Sequence, residues 1–143
     1  MKFSFFLIFI LAVMLISCSS SEKNNEFSEK SLDGVKWILK SLNNKKISTP
    51  ESRKEIYIEF NTSENKFSGF AGCNNIFGTY TLSNDRIKFG PVAGTEMYCE
   101  SVMETENEFK KMFETADRIK LKGSELQFFS SGKITASFIS FKQ

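Results

Sequence analysis

The sequence predicts a mainly β protein: a compact antiparallel β-barrel-like sheet of about eight short strands with one amphipathic helix. Three observations carry this. Apolar and polar residues alternate with period two in a series of short runs. Turn residues separate those runs at close intervals, which favours antiparallel hairpins. A single segment, after Ser101, switches to helical spacing.

The elements follow in order. Residues 35–42 read as a strand with Val35, Trp37 and Leu39 on one face. Residues 55–60 alternate and place Ile56, Ile58 and Phe60 together. Residues 66–71 and 77–82 complete two more strands. Residues 86–89 and 118–122 alternate with their charges outward, and 125–129 and 134–141 form a closing meander. The turn signals between them are Asn43-Asn44, Thr62-Ser63-Glu64-Asn65, Ser83-Asn84-Asp85, Gly123-Ser124 and Ser130-Ser131-Gly132.

Ser101-Val102-Met103-Glu104 has the S-x-x-E form of a capping box. After it, Val102, Glu106, Phe109, Met112, Phe113 and Ala116 recur at steps of three and four. That spacing predicts a helix of about fifteen residues with one apolar stripe. The Phe/Met stripe is read as core, and the helix as a cover over one opening or face of the curved sheet. Glu100, Glu104 and Glu108 would share another face. A bound cation is one reading; acidic residues complementing the helix dipole is the plainer one.

The N-terminus has a different character. Fourteen of the first seventeen residues are apolar, and Lys2 supplies a short positive start. Residues 3–16 as a helix would be about 21 Å long, short of the roughly 30 Å hydrocarbon core. The stretch reads as a signal peptide, not a lasting span. Its end, Leu15-Ile16-Ser17-Cys18, resembles the bacterial lipobox. The resemblance implies that the Cys18 thiol receives a diacylglycerol and that cleavage occurs before it. Two or more acyl chains give stable anchoring where one does not. The expected organisation is a signal peptide at 1–17, a flexible tether at 18–33 and one domain at 34–143. Ser19, standing where some inner-membrane lipoproteins carry aspartate, points to the outer membrane.

Composition excludes several classes of function. The net charge is +2, so no electrostatic footprint for nucleic acid is present. There is no histidine, which removes the usual general base and the commonest zinc ligand. No ligands cluster at zinc spacing and no phosphate-cradling loop is present. The chain is therefore expected to have no catalysis, no metal and no cofactor, and to be a monomer.

The segment Ala71-Gly72-Cys73-Asn74-Asn75-Ile76-Phe77-Gly78-Thr79-Tyr80 sets glycine and asparagine among apolar strand residues. Both tolerate positive φ, so a bulge or tight corner is expected, with Asn74 tying it by side-chain bonds. Gly72-Cys73-Asn74 with Gly78 and Tyr80 resembles the G-C-N-x-x-x-G-x-Y signature of the META domain. Trp37-Ile38-Leu39 with Ser41-Leu42-Asn43 is similar to the family's opening strand, and Phe67-Ser68-Gly69 to its F-S-G strand. Thr95, Met97 and Cys99 match its T-x-M-A-C element, and Glu106 and Phe109 its E-x-x-F helix. Tyr98 departs from the pattern, placing a bulky ring beside Cys99 where a small residue is usual. The match runs from about residue 35 to 141.

The resemblance implies a barrel-like fold with one helix, in agreement with the strand pattern. The family includes HslJ-like heat-inducible proteins, associated with novobiocin resistance, and many small lipoproteins. No biochemical activity is assigned to the domain as a whole. The implied role is a non-enzymatic one in the cell envelope, under stress or in contact with another envelope protein. The alternative is a carrier of small apolar ligands in the barrel. Twelve phenylalanines follow the leader, so a filled interior is expected instead. With Cys18 committed to lipid, Cys73 and Cys99 remain, one in each of two motifs. They are not C-x-x-C redox thiols, and an exported chain meets an oxidising compartment, so a structural disulfide is expected.

Overall fold

A computed structural model describes residues 28–49 and 53–141. A turn of 3-10 helix, Glu29–Leu32, comes first. The strands are β1 (Lys36–Leu42), β2 (Lys45–Lys46), β3 (Tyr57–Asn61), β4 (Lys66–Phe70), β5 (Asn75–Ser83), β6 (Arg86–Phe89), β7 (Ala93–Gly94), β8 (Arg118–Lys122), β9 (Glu125–Ser130) and β10 (Lys133–Phe141). Helix α1 (Met103–Thr115) lies between β7 and β8. All eight expected strands are present, and the two-residue β2 and β7 are additional.

The strand pairs are antiparallel. β1, β3, β4, β5, β6, β8, β9 and β10 neighbour one another in that order, and β10 returns to β1 from Lys36↔Phe141 to Leu42↔Ala136. The sheet is a closed eight-stranded barrel, which removes exposed strand edges from its wall. The thinnest seam joins β6 to β8 through the single pair Arg86↔Arg118. Ile87 N–H donates to the Asp117 carbonyl (3.2 Å) and Ile119 N–H to the Asp85 carbonyl (2.8 Å) beside it.

The expected turn residues make the turns. Asn43 and Asn44 have φ of +48° and +63° between the paired Leu42 and Lys45. Ser131 and Gly132 have +50° and +78° between Ser130 and Lys133. Two left-handed residues in a two-residue loop match the right-handed twist of a hairpin. A register shift between Leu39 and Ser41 interrupts the alternation of β1. Trp37, Leu39 and Leu42 can therefore all join the core, although 39 and 42 differ by an odd step.

Because neighbouring strands run in opposite directions, the turns sort between two ends. The β1–β2 turn, the β4–β5 corner and the β9–β10 turn lie at one end, and α1 covers it. Lys45 of the β1–β2 hairpin reaches Glu108 at 3.3 Å, and Glu106 meets the β4–β5 corner. At the other end are the β3–β4, β5–β6 and β8–β9 turns. There the 3-10 turn docks: Leu32 is fully buried, and Gly34 N–H donates to the Phe60 carbonyl at 3.1 Å. The Thr62 N–H and hydroxyl both donate to Asp33 Oδ1. Residues 28–33 of the expected tether at 18–33 are thus docked on the barrel. Its residues 18–27 and the signal peptide at 1–17 lie outside the described residues.

Between the two covers the interior is filled by rings. Phe60, Phe67, Tyr80, Phe89, Phe109, Phe113, Phe128 and Phe138 form one continuous network with centroids 4.8–6.4 Å apart. Edge-to-face and offset contacts of this kind add to the burial of aromatic area. Phe109, Met112 and Phe113 of α1 point into this core, as the stripe predicts.

The start of α1 differs from expectation. The N-cap is Val102, with no side-chain cap bond, so the capping box does not form. Ser101 Oγ instead accepts a hydrogen bond from Arg53 Nη2 at 2.8 Å. Glu100 precedes the helix and shares no face with Glu104 and Glu108. Lys45 lies within 3.9 Å of Glu104 and 3.3 Å of Glu108.

Candidate functional site

β4 ends at Phe70, and the chain turns before Asn75. Ala71 N–H donates to the Asn74 carbonyl at 2.8 Å, closing the corner. Gly72 sits at φ +114°, which side-chain-bearing residues rarely adopt. This corner aims the N–H groups of Cys73 and Asn74 at α1. Glu106, on the buried face of the helix, accepts them both with Oε2, at 3.1 and 2.9 Å. Its Oε1 accepts Asn74 Nδ2 at 2.8 Å and Lys110 Nζ at 2.7 Å. The side chain of Glu106 has no exposed surface, while that of Lys110 is 35% exposed.

Asn74 links this carboxylate to the segment that precedes the helix. Its Nδ2 also donates to the Met97 carbonyl (2.9 Å). Its Oδ1 accepts from Met97 N–H (2.7 Å) and Thr95 Oγ1 (2.8 Å). All four hydrogen-bonding positions of the amide are thus used. Thr95 Oγ1 in turn accepts Asn75 N–H at 3.2 Å. The disulfide Cys73–Cys99 spans the same gap, with Cα atoms 5.9 Å apart. The glycine-rich corner, the T-x-M-Y-C segment and the helix are therefore fastened at one place.

Burial pushes the Glu106 carboxyl up. The hydrogen bonds from Lys110, from the Asn74 side chain and from the N–H groups of Asn74 and Cys73 outweigh it and hold the group below the ordinary carboxylate range. Glu106 is therefore a buried anion with four donors on two oxygens. Such a network holds a fold in place, and the carboxylate has no free position from which to take a proton from a substrate. Tyr80 is shifted the other way. Burial, then its hydrogen bond to Glu29 (3.1 Å), raises its phenol well above the usual range.

The residues singled out in the sequence fall into three groups. Gly72, Cys73, Asn74, Thr95, Met97 and Cys99 come together in this network. Met97 contributes its backbone, and its side chain is exposed. Trp37, Gly78 and Tyr80 belong to the barrel. Trp37 is buried, and its indole N–H has no partner among the described residues. A Cβ on Gly78 would stand 2.8 Å from the Phe67 ring and 2.9 Å from the Pro91 carbonyl oxygen, so only glycine fits. Cys18 lies outside the described residues. Tyr98 is 79% exposed, so its ring leaves the packing around Cys99 undisturbed. What sequence reasoning missed is the acceptor role of Glu106 and the partnership of Glu29 with Tyr80. The signal for the first was present: a carboxylate inside an apolar helical stripe. Among the described residues no three ligand-type side chains converge as a metal site would require.

Comparison with known proteins places this arrangement. No curated protein matches the chain. An NMR structure of a protein from Burkholderia xenovorans aligns with a TM-score of 0.63 at 23% identity, covering 80% of this chain and 86% of that one. A crystal structure of a DUF4847 family protein from Bacteroides vulgatus aligns with a TM-score of 0.57 at 15% identity, covering 80% of this chain and 98% of that one. At such identities the likeness concerns the fold. The META domain model matches residues 30–140, a span that begins at the docked 3-10 turn and ends in β10, and the chain belongs to the META domain family.

Proposed function

We propose that this META protein is a lipid-anchored component of the bacterial cell envelope, acting without catalysis through contact with other envelope proteins under stress. The observation that carries the reading over a carrier is the interior. Eight rings fill it, the helix covers one end and the 3-10 turn the other. An apolar ligand site needs a preformed cavity of about 300–1,000 Å³ with a mouth. The saturated hydrogen bonding of Glu106 and Asn74 supports a structural part for the motif. The leader and Leu15-Ile16-Ser17-Cys18 support the anchoring.

Two experiments test this. The purified domain mixed with an apolar fluorophore is expected to show no saturable uptake. Uptake at one per chain would make the protein a carrier. Crosslinking in living cells should then trap a discrete envelope partner. For the anchor, Cys18→Ala is expected to block maturation and leave the leader attached or miscut. Normal maturation of that variant, with continued fractionation in membranes, would remove lipidation from the reading.

A further inference from the structure

The end covered by α1 carries both signs: Glu96, Glu100, Glu104, Glu108 and Glu114 stand there with Lys45, Lys46, Lys110, Lys111 and Lys133. The wall formed by β6 and β8 is basic. Arg86, Lys88, Arg118, Lys120 and Lys122 occupy alternate positions of these two strands, and all five are exposed. Arg86 adjoins the β5–β6 turn and Lys122 the β8–β9 turn. Both turns lie at the end where the chain enters the domain through Glu29–Leu32.

This wall is not arranged for stability alone. Arg86 and Arg118 are direct partners in the ladder, and like charges placed opposite one another are destabilising. The nearby acids are few. Asp85 lies 3.7 Å from Arg118 Nη1, Glu125 is opposite Lys122, and Asp117 accepts the N–H of Ser131. An open groove of about 430 Å³ on this wall is lined by Arg118 and Lys120 together with Asp85, Ile119, Leu121 and Phe129.

We infer that the β6–β8 wall rests on the anionic phosphate headgroups of a lipid bilayer. The position of the wall names the occupant. The inference rests on the anchoring reading above: if Cys18 carries lipid, residues 18–28 span at most about 36 Å. The basic wall then faces the bilayer. A surface phosphate layer attracts each nearby lysine or arginine by about fivefold in affinity, within a Debye length. Tethering raises the local concentration, so weak individual contacts suffice to orient the domain.

The test uses the mature-length chain, residues 18–143, with Cys18→Ser so that no lipid is attached. A failure here therefore leaves the anchoring reading to its own experiment. Co-sedimentation is measured with vesicles of phosphatidylcholine containing phosphatidylglycerol, and with phosphatidylcholine alone. Binding to the anionic vesicles only is expected. It should disappear between about 0.1 M and 1 M salt, as the Debye length falls from about 10 Å to about 3 Å. Arg118→Gln with Lys120→Gln should weaken it about 20-fold. Lys88→Gln with Lys122→Gln, which avoids the arginine pair, should do the same if the first variant misfolds. Lys45→Gln with Lys46→Gln, at the helix end, should change it less than about twofold. Equal binding to neutral vesicles, no binding to anionic ones, or an equal loss in the Lys45/Lys46 variant would each overturn the inference. Capture of an acidic protein without vesicle binding would also overturn it.

Discussion

Glu106→Ala is expected to destabilise the domain by about 4 kcal/mol. The substitution strands the N–H groups of Cys73 and Asn74 and one donor of the Asn74 amide. A buried donor left without an acceptor costs roughly 1–3 kcal/mol. Relief from the buried charge offsets a part of that sum. Against a total of about 5–15 kcal/mol, the loss is large, and a melting temperature lower by on the order of 15 °C should follow. Calorimetry of the purified protein measures it. A change under about 1 kcal/mol would show that water replaces the carboxylate.

The same contact sets a pH dependence. The folded state holds the Glu106 carboxyl below its unfolded value, so the folded protein binds fewer protons in that range. The stabilisation is complete above about pH 4.3, the unfolded value, and is lost as pH falls through the lower, folded one. The stability difference between the native chain and Glu106→Gln should therefore shrink on acidification below about pH 4. A difference that stays constant or grows there would contradict the hydrogen-bonded anion.

Loss of the Cys73–Cys99 disulfide is the second large effect. The bond closes a separation of 26 residues. The chain-entropy relation gives about 3.5 kcal/mol for a loop of that size. The double variant Cys73→Ala with Cys99→Ala, or the reduced protein, should keep its circular dichroism and melt at a lower temperature. Two free thiols in the unfolded, unreduced protein, or a melting point unmoved by reductant, would refute the bond. Cys73 also donates its N–H to Glu106, so the two perturbations meet at one residue and their effects will not add.

The strands are legible in the sequence because each has one wet face and one buried face. Lys88 and Arg86 flank Ile87, and Lys120 separates Ile119 from Leu121, so the period shows through. The turns are legible because asparagine and glycine stand where φ is positive. The corner is legible as a corner. What joins it to the helix is not, because a buried glutamate and a solvated one look alike in a sequence. Only the third dimension shows that Glu106 faces two N–H groups more than thirty residues away. Ser101 illustrates the reverse. A capping box is a local pattern, and a long-range bond to Arg53 takes its hydroxyl instead. The 3-10 turn is hidden for another reason. Leu32 stands alone among polar residues, and a single apolar residue has no period.

The seam between β1 and β10 joins the first long strand to the last. A chain that emerges N-terminus first has therefore made most of its hairpins before the contact that closes them exists. Non-local pairing of this kind belongs to the slower class of folding, in milliseconds to seconds. The helix meanwhile has no finished barrel to cover, and its phenylalanines have no complete core to enter. Completion of the fold waits on the final nine-residue strand, Lys133–Phe141. Until that strand is released, β1 has no partner on its β10 side and the barrel stays open.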